Sequence, residues 1–136
     1  MILNLKKNQI RCTEFSFILK PSTLGGVGVF ATHDIPKGTS FFSGSPSPRR
    51  MNPKNIPADF IKYCIFISDE ECLCPERFDR MNIGWYINHS SEPNIGKNSD
   101  SLISICDIQA GEEILLNYNE LNEPEHLKEA YYSENK

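Results

Sequence analysis

The stretch Asn82-Ile83-Gly84-Trp85-Tyr86-Ile87-Asn88-His89-Ser90-Ser91-Glu92-Pro93-Asn94 decides the reading of this chain. At its centre an aromatic, an aliphatic, an amide and an imidazole follow one another directly, and Pro93-Asn94 closes the run as a turn. It is too polar for a core and too dense in chemistry for a plain connection. Two distant pieces go with it. Upstream lies a glycine-rich turn, Gly25-Gly26-Val27-Gly28-Val29-Phe30-Ala31; downstream comes the run Gly111-Glu112-Glu113-Ile114-Leu115-Leu116-Asn117-Tyr118.

Working outward, 136 residues make a single domain, 1–136, able to bury one core but not two. Hydrophobic residues at 39% and charged residues at 24% are ordinary for a globular chain. No apolar run is long enough to cross a bilayer, and residues 1–10 lack the apolar segment of a signal peptide, so no membrane partner and an intracellular location are expected. The net charge of −4, with no basic block beyond Arg49-Arg50, argues against direct nucleic-acid binding and suits a cationic peptide. Five cysteines (Cys12, Cys64, Cys72, Cys74, Cys106) fit a reducing compartment. Cys72-Leu73-Cys74 could give two zinc ligands, but no second close pair is visible, so no metal is expected and the thiols are read as buried or strand-borne.

The hydrophobic pattern predicts a strand-rich domain with little helix. Alternation gives strands over 12–19, 27–32 and 39–42, joined as an antiparallel meander through a tight turn at Ile35-Pro36-Lys37-Gly38. Four prolines between 43 and 57 predict an exposed insert without regular structure. Residues 57–62 read as a helical turn, 63–68 as a strand and 68–71 as a turn. A polar hairpin loop over 96–101 leads to a strand over 102–105, a turn at Ala110-Gly111 and a last strand over 114–118. Asn122 as a cap, Glu125 three residues on and Pro124 in the first turn predict one C-terminal helix over 122–132, within a tail of 122–136.

Gly26-Val27-Gly28 alone says little, because turn glycines mostly supply unusual backbone angles. It does not open a helix, so a dinucleotide-binding fingerprint is excluded. Together with Asn88-His89-Ser90, Pro93-Asn94 and the Glu112-to-Tyr118 run, however, it resembles the SET-domain family of protein lysine methyltransferases, over residues 12–120 and in its minimal stand-alone form. That resemblance implies a mainly β SET (β-clip) fold: small antiparallel sheets around a C-terminal pseudoknot, with short helices. It implies S-adenosyl-L-methionine as cofactor, held by Gly26, Val27, Gly28, Val29, Tyr86, Asn88, His89 and Tyr118. By the same resemblance Tyr118 is the catalytic tyrosine, Tyr63 a second catalytic and channel tyrosine, and Leu116 the place that helps set methylation state. Family features are also missing: Ser91 stands for a cysteine, Trp85 for an arginine, Tyr86 for a phenylalanine and Asn117 for an aspartate. The cysteine-rich zinc segment after the tyrosine is absent, which leaves Tyr131 and Tyr132 of the tail as the aromatic candidates to complete the lysine channel (Tyr63, Leu116, Tyr118, Tyr131).

The chemistry implied is in-line transfer of a methyl group from a sulfonium to an amine, which asks for alignment and exclusion of water. A free lysine, with a pKa of about 10.4, has no lone pair to attack with until it loses its proton. A narrow apolar channel and a nearby sulfonium both disfavour the ammonium. No nucleophile, acid/base pair or metal is needed. The expected activity is that of an S-adenosylmethionine-dependent protein lysine N-methyltransferase acting on a protein or peptide lysine, histone tails included. The alternative is a catalytically silent SET module that binds a peptide or protein. Substrate, methylation state and oligomeric form, dimer included, stay open.

Overall fold

The computed structural model describes residues 12–41, 48–99 and 101–133, which form ten short strands in three sheets joined by 3-10 turns. The strands are β1 (Phe17–Pro21), β2 (Val27–Ala31), β3 (Ser40–Phe41), β4 (Arg49–Met51), β5 (Ile65–Ser68), β6 (Glu71–Cys74), β7 (Asn88–His89), β8 (Ile95–Asn98), β9 (Ser101–Ser104) and β10 (Leu115–Leu116). No helix among these residues is long and apolar enough to cross a membrane.

β1 and β2 make an antiparallel ribbon. The turn between them closes on Ser22, whose N–H donates to Gly26 O at 2.9 Å, and Gly26 meets this geometry with φ +60°, a conformation costly for any residue with a Cβ. β2 then runs past the central sheet, with Ala31 N–H donating to Glu112 O and Ile114 N–H to Val29 O.

The central sheet has the order β3-β9-β8-β10-β7. β10 lies parallel to both its neighbours, pairing Leu116 with His89 on one side and Ile95 on the other. β7 and β8 are joined by residues 90–94, so the later segment sits in the gap that this loop spans, the knot-like threading the resemblance implies. Asn94 fixes it there: its Oδ1 accepts from Leu115 N–H at 2.8 Å and its Nδ2 donates to Glu113 O at 2.7 Å. Asn94 thus does the work of a ladder partner for a strand only two residues long.

The main core gathers Val29, Ala31, Ile35, Phe41, Ile87, Ile95, Ile108, Ile114 and Leu116. Full burial of each large aliphatic stabilises the fold by roughly 1.5–3 kcal/mol, and these residues come from every segment that frames the threaded loop. The third sheet, β4-β6-β5, is a separate unit whose buried residues are Ile56, Cys72 and Cys74.

Several sequence expectations are corrected. The first strand begins at Phe17 because residues 13–16 turn, with Ser16 N–H donating to Thr13 O. The meander does not form: β3 pairs with β9 across 60 or more intervening positions, while β2 pairs with β1. The central sheet is mixed, not antiparallel. The proline-rich insert carries β4, which edges onto β6 between Pro48 and Pro53; residues 42–47 lie outside the described set. The polar loop at 96–101 is mostly strand, with the reversal at Ser99 in a left-handed conformation. The last strand stops at Leu116, because Asn117 caps a new 3-10 turn, Tyr118–Leu121.

The predicted C-terminal helix is replaced by a 3-10 turn, Glu125–Leu127, and further turns. Asn122 does not cap it; it ends the preceding turn at φ +60°. Glu123 is turned inward to accept from Phe66 N–H at 2.8 Å and Tyr132 O–H at 2.6 Å, and these long-range bonds override the local helical signal.

Candidate active site

The Asn88 segment is positioned from its own N-terminal side. Asn82 Oδ1 accepts from Gly84 N–H at 2.7 Å and starts the turn Ile83–Tyr86; Ile87 N–H closes it on Gly84 O. The chain then straightens into β7, with the Asn88 side chain directed at β2. Its Nδ2 donates to Val27 O at 3.0 Å and to Glu113 Oε2 at 2.8 Å. The other oxygen of Glu113 accepts from Ser22 Oγ at 2.7 Å. Gly28 lies beneath this cluster: a Cβ there would stand 2.2 Å from Glu113 Oε2 and 3.0 Å from Asn88 Nδ2. Glycine is required at 28 by close approach, in contrast to Gly26, where it is required by backbone angle.

His89 and Tyr118 form the second half of the site. Tyr118 N–H donates to His89 Nδ1 at 3.0 Å, so the neutral imidazole carries its proton on Nε2. The Tyr118 hydroxyl donates to Ile87 O at 2.5 Å. The Tyr118 ring lies 5.2 Å from both the His89 and Tyr132 rings and 6.2 Å from the Tyr131 ring. Burial holds the Tyr118 phenol well above its ordinary pKa, and Tyr131, Glu129, Glu123 and Glu113 push it in the same direction. It is a neutral hydroxyl at physiological pH. Burial also pushes Tyr131 up to about 12 and raises Tyr132, the latter helped by its bond to Glu123.

The other sequence-predicted residues divide. Val27 through its carbonyl and Gly28 through its bare Cα meet the cluster, whereas Gly26 closes the β1–β2 turn on Ser22. Val29 is fully buried in the core, so only its main chain could reach a ligand. Leu116 is also a core residue. Tyr63 ends a 3-10 turn, Ala58–Tyr63, and does not lie on a strand; its ring meets Tyr86 edge-on at 6.0 Å, and Lys62 Nζ sits over its face. Tyr131 is more than half exposed and, with the buried Tyr132, brings the tail onto His89 and Tyr118. Asn117 is accommodated without loss, since its Oδ1 accepts from Asn119 N–H. A concavity lined by Arg49, Phe60, Arg77, Phe78 and Asp79 belongs to the smaller sheet.

Sequence reasoning missed Glu113, which reads as a charged turn residue, and Glu123, which reads as a helix-start acid. The available signal for Glu113 was its place directly before an apolar run, where a carboxylate is drawn into a partly buried site. Together Glu113, Glu123 and Glu129 make the surroundings of Tyr118 negative, an environment suited to cationic groups.

Comparison with known proteins agrees with this geometry. The family model described as SET domain matches residues 26–119. Among solved structures, a Plasmodium falciparum protein assigned as a histone methyltransferase superposes with a TM-score of 0.56 at 24% identity, covering 78% of this chain and 95% of that one. A humanized mutant of the Chaetomium thermophilum Polycomb Repressive Complex 2, bound to an inhibitor, gives 0.57 at 22%, covering 79% of this chain. That complex in an autoinhibited conformation bound to S-adenosylmethionine gives 0.58 at 21%, covering 82%. This chain spans 15% and 16% of those two Polycomb chains. At these identities the likeness is one of fold. A sequence search of curated proteins finds no match. The family match over most of the length, on a domain whose β10 threads the loop after Asn88-His89, means that the chain belongs to the SET-domain family.

Proposed function

We propose that this chain is an S-adenosylmethionine-dependent protein lysine N-methyltransferase. The observation that carries the reading is the meeting of three segments far apart in sequence: Asn88 bonds to Val27 O and Glu113 beside Gly28, and His89 bonds to Tyr118 N–H one residue away.

The residues fit the cofactor. Its amino-acid end carries an ammonium and a carboxylate, and its sulfur is cationic. Gly28 leaves a side-chain-free stretch of backbone against a carboxylate, Glu113, that is already oriented by Ser22 and Asn88. The backbone of residues 26–28, Asn88, the His89 main chain and Glu113 would hold it. When bound, the cofactor supplies an electrophilic methyl group on sulfur.

This chain's part is alignment. The Tyr118 hydroxyl spends its one proton on Ile87 O, which leaves its oxygen, beside its contact with the Tyr131 hydroxyl, one lone pair to accept from an amine N–H. Being held neutral, it orients the lysine and does not act as a phenolate base. Tyr131 and Tyr132 cover the same ring and limit water. The net charge of −4 and the acidic surroundings favour a lysine-bearing cationic peptide, histone tails among the candidates, encountered inside the cell.

The test is incubation with methyl-labelled S-adenosylmethionine and histone or whole-lysate protein. The wild type should label a protein band and Tyr118→Phe should not. Ligand binding without any labelled band would favour the silent peptide-binding module instead.

A further inference from the structure

We infer that Cys64, Cys72 and Cys74 form a metal site for a thiophilic d10 cation, Zn2+ in the first instance, that fastens the β4-β6-β5 sheet. From sequence only Cys72 and Cys74 look paired. The fold supplies the third thiol. β5 and β6 pair Ile65 with Leu73, so the next position outward sets Cys64 opposite Cys74. Cys72 and Cys74, two apart on one strand, share a face. All three sulfurs lie within 4.8 Å of one another.

The spacing suits a metal. A tetrahedral centre with metal–sulfur bonds of 2.3 Å has sulfur–sulfur edges of about 3.8 Å. Here Cys72 Sγ to Cys74 Sγ is 3.6 Å and Cys64 Sγ to Cys74 Sγ is 3.7 Å. The apolar cover over the thiols is thin: among the described residues Ile56 is the other buried member of this cluster, and Met51, Ile61, Phe66 and Phe78 pack against it only partly buried. A three-stranded sheet over so small a buried core gains from a further tie, as small metal-stapled units do. Cys72 and Cys74 are fully buried, whereas Cys64 is partly open, so the fourth position faces the Cys64 side and is filled by water.

The balance is simple. Three thiols give up three protons as Zn2+ and one water enter, leaving a tris-thiolate centre of charge −1. The S–H contacts that Cys64 makes with Phe60 O and Cys72 with Met51 O, both at 3.5 Å, are released in exchange. Arg49 is paired in register with Cys74, on the face of the sheet that Cys72 and Cys74 share, where its charge offsets that of the centre.

The test uses the full chain, reduced and stripped with chelator, titrated anaerobically with Co2+. A thiolate-to-cobalt charge-transfer absorption should saturate at one equivalent and vanish when Zn2+ is added. Cys64→Ser, at a partly open position that tolerates the change, should keep its circular dichroism yet bind at least about tenfold more weakly. Cys72→Ser should lose the absorption entirely. Cys106→Ser, exposed and outside the cluster, should titrate as wild type. No charge-transfer absorption in the wild type, or one indifferent to Cys64→Ser, overturns the inference. Loss of two hydrogens by mass on air exposure, with no cobalt absorption, would reassign the cluster to disulfide chemistry.

Discussion

The Asn88 amide donates to the Glu113 carboxylate at 2.8 Å, joining the strand before the threaded loop to the segment that leads into the threading strand β10. The same amide holds Val27 O at 3.0 Å, so one side chain ties three segments into one cleft. A bond to a charged acceptor contributes about 1.5–3 kcal/mol, and here it also fixes the shape of the proposed cofactor site.

Asn88→Asp should therefore be worse than Asn88→Ala. It would set two carboxylates at hydrogen-bond distance, forcing one to stay protonated and raising its pKa above the unfolded value. A group raised in the folded state keeps its contribution at low pH and loses it as pH rises through the folded pKa. Denaturant melts should find Asn88→Asp most destabilised near neutrality, with the deficit against Asn88→Ala closing toward about pH 4. A pH-independent deficit would contradict the arrangement.

Gly28→Ala should cost both stability and binding. The clash at 2.2 Å is with the far end of the flexible Glu113 side chain, and Gly28 has no left-handed backbone to strain. Glu113 can swing away only by giving up its bonds to Asn88 and Ser22, so folding should cost about 1.5–3 kcal/mol, and S-adenosylhomocysteine should bind about tenfold or more weakly. Thermal melts and calorimetry check the two halves.

Glu123→Ala should loosen the tail. It orphans Phe66 N–H and Tyr132 O–H, each bonded to that carboxylate, and should cost about 2 kcal/mol. Limited proteolysis should then cut within residues 124–133 faster than in the wild type. Equal cutting rates would mean that the tail is held by other contacts.

Alkaline stability follows from three tyrosines. Tyr118, Tyr131 and Tyr132 all have folded pKa values above the unfolded value of about 10. Their contribution is complete below that pH and is lost as pH rises through the folded values, about 12 for Tyr131. Stability should fall above about pH 10, and less steeply in Tyr132→Phe. A flat profile there would contradict the burial of these rings.

What the sequence made legible was local pattern. Asn88-His89 carries a distinctive local pattern, whereas Gly26-Val27-Gly28 and Tyr118 stood out only through the resemblance; the fold brings the three segments together. What depended on distant partners was not legible. Glu123 looked like a helix-start acid because its partners, Phe66 N–H and Tyr132 O–H, are set by tertiary folding. β4 was hidden between two prolines because its pairing with β6 lies over twenty residues away. The third thiol, Cys64, joined Cys72 and Cys74 only through the β5-β6 register.

The most direct measurement is a calorimetric titration of the full chain with S-adenosylhomocysteine. Saturable one-to-one binding by the wild type, retained in Tyr118→Phe and abolished in Asn88→Ala, is the expected result. Absence of heat with the folded wild type, or unchanged affinity in Asn88→Ala, would contradict a cofactor cleft built on Gly28, Asn88 and Glu113.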